Sequence, residues 1–139
     1  MLVDDAMTIR RQASQRVQVG LEAVMTPEIA QDLINGGEAW TALRDGEPVA
    51  CLGIRETFPG VQGVAWAILA EGVGSAHLAI TRHARRRIAE SPLVRIEAIV
   101  RTSIDAECVW ARMAGLSPVA LLRKFGALSE DHLLFERVR

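Results

Sequence analysis

The chain has 139 residues, half of them hydrophobic, enough for one domain burying about two-thirds of its unfolded surface and too apolar for disorder. Its formal net charge of −1 argues against a dedicated nucleic-acid binder, whose phosphate contacts demand a basic surplus. Two cysteines are too few for a disulfide framework, and no apolar run approaches the roughly 18 residues that cross a membrane.

Cys51 and Cys108 sit in the apolar stretches VACLG and ECVWA, so both read as reduced core residues. Charges at Asp4, Asp5, Arg10, Arg11 and Arg16 interrupt any signal-peptide core, and a cytoplasmic protein is expected. Only Lys124 among the sixteen basic residues is a lysine. Arginine suits forked contacts to phosphate or carboxylate, although genomic composition produces the same bias.

Taken in order, AMTIR alternates weakly and suggests a short first strand. Val17, Leu21, Val24 and Met25 recur at helical spacing within Ser14 to Met25. Thr26-Pro27-Glu28 starts a second helix, with an N-cap hydroxyl, proline in the first turn and an acid beside it. Gly36-Gly37 stops that helix through a left-handed closure. AWTALR and EPVACLGIRE then flank Asp45-Gly46, the residue pair that two positive φ angles in a hairpin turn require.

Pro59-Gly60 marks another turn, and Val64–Leu69 (VAWAIL) is apolar on both faces, the mark of a central strand. A helix follows from Ser75 to Glu90, with Ala76, Ile80, Ala84 and Ile88 inward and Arg82, Arg85 and Arg86 off that stripe. RIEAIVR is the next strand. Asp105 caps a helix whose face carries Ala106, Val109, Trp110 and Met113, and Gly115 closes it. VALLRKF and HLLFERV end the chain as an antiparallel pair. The crossover through 64–101 makes its two strands parallel. The sum is a mixed α/β sheet with helices on both faces, in one domain over residues 1–139.

One feature looks like a site. Glu71-Gly72-Val73-Gly74-Ser75 joins the central strand to a helix, and glycines there let backbone N–H groups approach an anion at a helix start. Glycines also occupy such turns for steric reasons alone. No Lys-Ser/Thr follows, as in a P-loop, and no third glycine with a distal acid completes a dinucleotide fingerprint.

The full order is strand, two helices, hairpin, central strand, glycine turn, helix, strand, helix and two strands, seven strands in all. It resembles the GNAT superfamily of acyl-CoA N-acyltransferases. That family's phosphate turn reads Gln/Arg-x-x-Gly-x-Gly/Ala, and Leu69-Ala70-Glu71-Gly72-Val73-Gly74 keeps both glycines with Leu69 at the basic or amide position. RIEAIVRTSIDAECVWARMAGL matches the next strand and helix, with Trp110 as the aromatic residue and Gly115-Leu116 as the ending. More narrowly, the chain is similar to the compact acetyltransferase-like proteins of tailed phages and prophages.

The resemblance implies an acyl-CoA, most simply acetyl-CoA, as co-substrate, with no metal. The backbone of Ile68, Leu69 and Ala70 would hold the pantetheine arm, which adds like an extra strand. Gly72, Val73, Gly74, Ser75 and Ala76 would hold the pyrophosphate, and Trp110 would line the cofactor. The acceptor would be an amine, on a small molecule or a protein. No nucleic acid or membrane partner is implied, and a homodimer is open.

The sequence also departs from the family. It contains no tyrosine, so the family's usual general acid is missing, and Ser103 or Ile104 stands where an asparagine is usual. Glu56 is a candidate base or a solvated strand end. Ser103 is a candidate donor to the leaving thiolate or a helix cap. Glu97 is expected to face solvent and His77 to lie at the surface. Arg82, Arg85, Arg86 and Arg87 form a solvated face or meet the cofactor's 3′-phosphate. Trp66 reads as core, and Trp40 as core or pocket wall. A catalytically inactive GNAT-fold phage or prophage protein, acting as a binding or assembly module, is the alternative.

Overall fold

A computed structural model describes residues 1–16 and 24–139. The elements are α1 (Val3–Thr8), α2 (Pro27–Asn35), β1 (Gly37–Arg44), β2 (Glu47–Phe58), β3 (Gln62–Leu69), α3 (His77–Glu90), β4 (Arg95–Arg101), α4 (Asp105–Met113), β5 (Ser117–Phe125) and β6 (Glu130–Val138). Six strands form one mixed sheet in the order β1-β2-β3-β4-β6-β5. The pairs β1–β2, β4–β6 and β5–β6 are antiparallel. β3 and β4 are parallel, as the crossover argument requires, in a register that runs from Gln62↔Arg95 to Val64↔Glu97. Contacts divide the chain into two units, Met1–Arg55 with Ala65–Ile80, and Glu56–Val64 with Thr81–Arg139.

In the first unit, the expected strand AMTIR is corrected: most of it lies in α1. The Asp5 carboxylate explains the helix, because it accepts the Leu2 amide at 2.7 Å and so satisfies a donor that a helix start leaves open. It also accepts the Thr41 hydroxyl at 2.6 Å, which ties α1 to β1. The helix expected over Ser14–Met25 falls mostly on residues 17–23, outside the described residues, and Ala13–Arg16 is a 3-10 turn.

The start of α2 matches expectation, since the Thr26 hydroxyl accepts the Ile29 amide at 3.3 Å. The helix stops at Asn35, before the Gly36-Gly37 pair as expected, but Gly36 is right-handed at φ −75° and the positive φ falls on Gly37, at 153°. A Cβ on Gly36 would lie 2.9 Å from Arg55 Cγ, so close approach accounts for that glycine. Asp45 and Gly46 take φ of 53° and 84°, the hairpin turn that the dipeptide signalled. Ala6, Ile9, Ala30, Leu33, Cys51, Trp66 and Ile68 make the core of this unit.

In the second unit, Ile80 just precedes the stretch in which Ala84 and Ile88 of α3 are buried, while Arg82, Arg85 and Arg86 are exposed. Arg137 closes the end of α3 by donating to the carbonyls of Ile88, Ser91 and Leu93. Two expectations for α4 are corrected. Its N-cap is Ile104 and Asp105 is the first helical residue, so no side chain caps the helix. Its buried residues are Cys108 and Ala111, while Val109 and Met113 are exposed at 51% and 43%. Glu97 does not face solvent either. It is half-buried and paired with Arg95, which also holds Glu136 across the β4–β6 ladder.

Candidate functional site

The glycine turn lies in the first unit, where β3 ends. Gly72 and Gly74 have φ of 72° and 46° around a right-handed Val73 at φ −51°. This alternating sign of φ is the backbone pattern of an anion-binding nest. A Cβ on Gly72 would meet nothing within 4 Å, so the glycine is there for its backbone angle rather than for packing. Val73 is buried and anchors the turn, and Ser75 is exposed. The Ala76 amide closes onto the Val73 carbonyl at 3.1 Å and leads into α3, where His77 is half-buried.

Two arginines fix this turn. Arg10 pairs with Glu71 at 2.8 Å, and the Glu71 amide donates to the Arg10 carbonyl at 2.8 Å. Arg44, the last residue of β1, donates from Nη1 to the carbonyls of Gly72 at 3.2 Å and Val73 at 3.4 Å. In a trans peptide the C=O and the following N–H point in opposite directions. A guanidinium that draws these two carbonyls therefore turns the Val73 and Gly74 N–H groups away from itself, as an anion cradle needs. The sequence singled out Leu69 as a missing basic group. It could not show that Arg44 stands at the turn, because that placement depends on the hairpin register Arg44↔Glu47 and Leu43↔Pro48.

Of the Ile68–Ala70 strip, the backbone of Leu69 and Ala70 is already engaged within the chain. Arg11 bridges Ala70 in antiparallel fashion, and the Gln12 amide donates to the Leu69 carbonyl at 3.0 Å. The Leu69 N–H donates to Gln15 Oε1 at 2.6 Å, and Gln15 Nε2 donates to the Ala67 carbonyl at 3.2 Å. Gln12 Nε2 reaches the Ala70 carbonyl at 3.2 Å, while the Ala70 N–H pairs with Val49 of β2 at 2.9 Å. Gln15 is 8% exposed, a buried carboxamide with both ends satisfied. Nothing in the local sequence pattern marked it. Ile68 and the Leu69 side chain are core.

Glu56, Ser103 and Trp110 belong to the second unit. Glu56 is exposed near the end of β2, and its Oε2 accepts the Gly60 amide at 2.7 Å, closing the β2–β3 turn. Ser103 is exposed in the turn after β4 and is not the cap of α4. The Trp110 indole donates to the buried Thr81 hydroxyl at 2.8 Å, pinning α4 to α3. Trp66 is core, as expected, and Trp40 is half-buried.

Both cysteines are free and buried. Among the described residues, no group of three His, Cys, Asp or Glu side chains could hold a metal ion, and no helix is long and apolar enough to cross a membrane. An open concavity of about 550 Å³ on the first unit is lined by Val3, Pro27, Glu28, Gln31, Asp32 and Asn35. None of the sequence's candidate site residues is among them.

No family model matches the chain, and no curated protein matches it. Solved structures do. The ribosomal-protein-S5-alanine acetyltransferase of Vibrio fischeri is 19% identical, with a TM-score of 0.70, covering 99% of this chain and 90% of that one. A GNAT-family acetyltransferase of Streptococcus pneumoniae is 14% identical, with a TM-score of 0.72 and coverage of 99% and 95%. The spermidine N-acetyltransferase of Vibrio cholerae, solved with CoA and spermine, is 11% identical, with a TM-score of 0.73 and coverage of 98% and 89%. At these identities the likeness is one of fold, and it extends over nearly the whole chain. The chain shares the fold of these acetyltransferases, and its described residues form a mixed six-stranded sheet.

Proposed function

We propose that this chain is a single-domain N-acyltransferase that takes its acyl group from an acyl-CoA, most simply acetyl-CoA, and gives it to an amine. The observation that carries the reading is the Gly72–Ala76 turn, whose positive φ angles and Arg44 contacts turn backbone N–H groups outward at the end of β3. Such a cradle suits a pyrophosphate. The fold it sits in is shared with acetyltransferases, one of them solved with CoA.

In this reading Gly72, Val73, Gly74, Ser75 and Ala76 hold the pyrophosphate. Ile68, Leu69 and Ala70 offer the backbone strip for the pantetheine arm, and Trp110, whose indole is held by Thr81, is the aromatic candidate for the cofactor. The chemistry is acyl transfer: the amine nitrogen forms a bond to the thioester carbonyl carbon, the C–S bond breaks, and the amine gives up a proton. What the protein supplies is chiefly position, because aligned reactants recover most of the entropy cost of meeting. Glu56, whose carboxylate also closes the β2–β3 turn, and the exposed Ser103 are the candidates for proton transfer. A cytoplasmic location and a phage or prophage origin fit this reading and rest on the sequence alone.

Calorimetric titration of acetyl-CoA into the wild type and a Gly74→Asp variant tests the reading. Aspartate tolerates positive φ better than most residues, so the variant keeps the turn, and with its Cβ 3.9 Å from Arg44 Nη1 it adds a carboxylate beside the cradle. Like charges brought together cost several kcal/mol, so affinity should fall on the order of a hundredfold. Equal binding by the two proteins would remove the turn from the site. Absence of binding at millimolar acetyl-CoA by the wild type, and by Gln15→Ala and Gln12→Pro alike, would leave the fold serving as an inactive binding or assembly module.

A further inference from the structure

We propose that residues Arg10–Gln15 form a strap that occupies the ligand-binding edge of β3 and must be displaced before an acyl-CoA can bind. The inference rests on the acyl-CoA reading above and adds a control step to it. Its basis is a continuous set of hydrogen bonds, all within the first unit. The Glu71 amide donates to the Arg10 carbonyl at 2.8 Å, Arg11 bridges Ala70, and the Gln12 amide donates to the Leu69 carbonyl at 3.0 Å. Three residues thus lie along the end of β3 as an added antiparallel strand, the way an extended ligand docks on a sheet edge.

At Gln12 the chain leaves the edge through the 3-10 turn Ala13–Arg16, and the Gln15 side chain takes over. Its Oε1 accepts the Leu69 N–H at 2.6 Å, and its Nε2 donates to the Ala67 carbonyl at 3.2 Å. The orientation is forced, because a backbone N–H can only donate and a carbonyl can only accept. The primary amide of Gln15 thereby presents the donor–acceptor pair that an amide within an extended ligand would present. An N–H has one proton to give, so no ligand oxygen can take the Leu69 N–H while Gln15 holds it. The carboxamide is buried, which makes its removal costly and the closed state well populated.

When only the open fraction binds, the apparent dissociation constant is the intrinsic one divided by that fraction. Loosening the strap must therefore tighten binding, the opposite of what loss of a ligand-contacting residue does. Gln15→Ala deletes two hydrogen bonds, each worth a few-fold to about tenfold, so acetyl-CoA affinity should rise by roughly tenfold or more. Gln12→Pro deletes the backbone bond to Leu69 and the side-chain bond to Ala70 without touching the buried Gln15 carboxamide, and should act in the same direction. It serves if Gln15→Ala does not fold. Faster hydrogen exchange at the Leu69 amide in Gln15→Ala is the companion readout.

Tighter binding by either variant supports the strap. Equal or weaker binding by a folded variant overturns it and leaves the acyl-CoA reading standing. If wild type and both variants fail to bind at millimolar acetyl-CoA, the acyl-CoA reading itself fails. The strap is then overturned with it, having no ligand to exclude.

Discussion

The Gly53→Ala substitution adds one methyl group where β1, β2 and the Trp66 indole meet. A Cβ there would lie 2.3 Å from the Glu38 carbonyl oxygen and 2.7 and 2.8 Å from Trp66 Cζ2 and Cε2. Gly53 pairs directly with Ala39 across the β1–β2 ladder, so the first clash is with backbone and cannot be relieved by a rotamer. Overpacking of this kind costs about 1–3 kcal/mol, and a backbone contact places it at the upper end. Glycine in a strand is itself worse than alanine by about 0.5–1 kcal/mol, which offsets part of the cost. The net expectation is a loss of about 2 kcal/mol. At about 2.1 cal/mol/K of unfolding entropy per residue, 139 residues lose about 3.4 °C of Tm per kcal/mol, so Tm should drop by about 7 °C. Urea unfolding followed by tryptophan fluorescence measures the free energy, and thermal unfolding measures the Tm. Gly46→Ala is the control: its Cβ would meet nothing within 4 Å, and only its φ of 84° opposes the change, at about 1–2 kcal/mol. A Gly53→Ala protein within about 0.5 kcal/mol of wild type would refute the packing argument.

Two more outcomes are expected. Burial pushes the Cys51 thiol from 9.0 up to about 11. The folded protein therefore keeps that proton after the unfolded chain has lost it. The associated stability is complete below about pH 9 and is lost as pH rises to about 11, at most about 3 kcal/mol. Urea midpoints for wild type should fall across that window more steeply than those of Cys51→Val, and parallel curves would contradict it. Arg44→Ala should weaken acetyl-CoA binding about tenfold, through loss of charge-assisted bonds that hold the turn, while acetyl-pantetheine, which lacks the pyrophosphate, binds as before. Equal loss for both ligands would reduce Arg44 to a general structural part.

The hairpin and the start of α2 were legible because each depends on a few adjacent residues: Asp45-Gly46 takes its own positive φ, and Thr26 caps its own helix. Most errors occurred where a distant partner decides the outcome. AMTIR became helical with Asp5 bound to Thr41, 36 residues away. Glu97 is drawn out of solvent by Arg95, which bridges it to Glu136, its direct partner in the β4–β6 register. Arg95 there offsets a like-charge pair that would otherwise be unfavourable. The face of α4 failed for another reason. Both sides of that helix carry apolar residues, and size favoured Val109 and Met113, whereas close packing selected Cys108 and Ala111. Periodicity reports that a helix is amphipathic, not which of two apolar stripes fits its neighbours.

The site divides along the same line. Its glycines were visible because positive φ leaves few residue types to choose from, whereas the groups expected to hold a ligand along β3 are backbone atoms, which every residue carries. Leu69 illustrates the limit. Its side chain is buried at 6% exposure, so that position cannot send a basic group to the turn. The cation comes instead from Arg44, brought there by the β1–β2 register. The Leu69 backbone meanwhile makes the two hydrogen bonds to Gln12 and Gln15 on which access to the edge depends. A motif comparison records Leu69 as a lost contact. In the folded chain the loss is redistributed, with charge supplied from one strand and the edge guarded from the N-terminal segment. For the proposed acyl-CoA binding, the quantity to measure is therefore the strength of the Gln15 contact rather than the identity of residue 69.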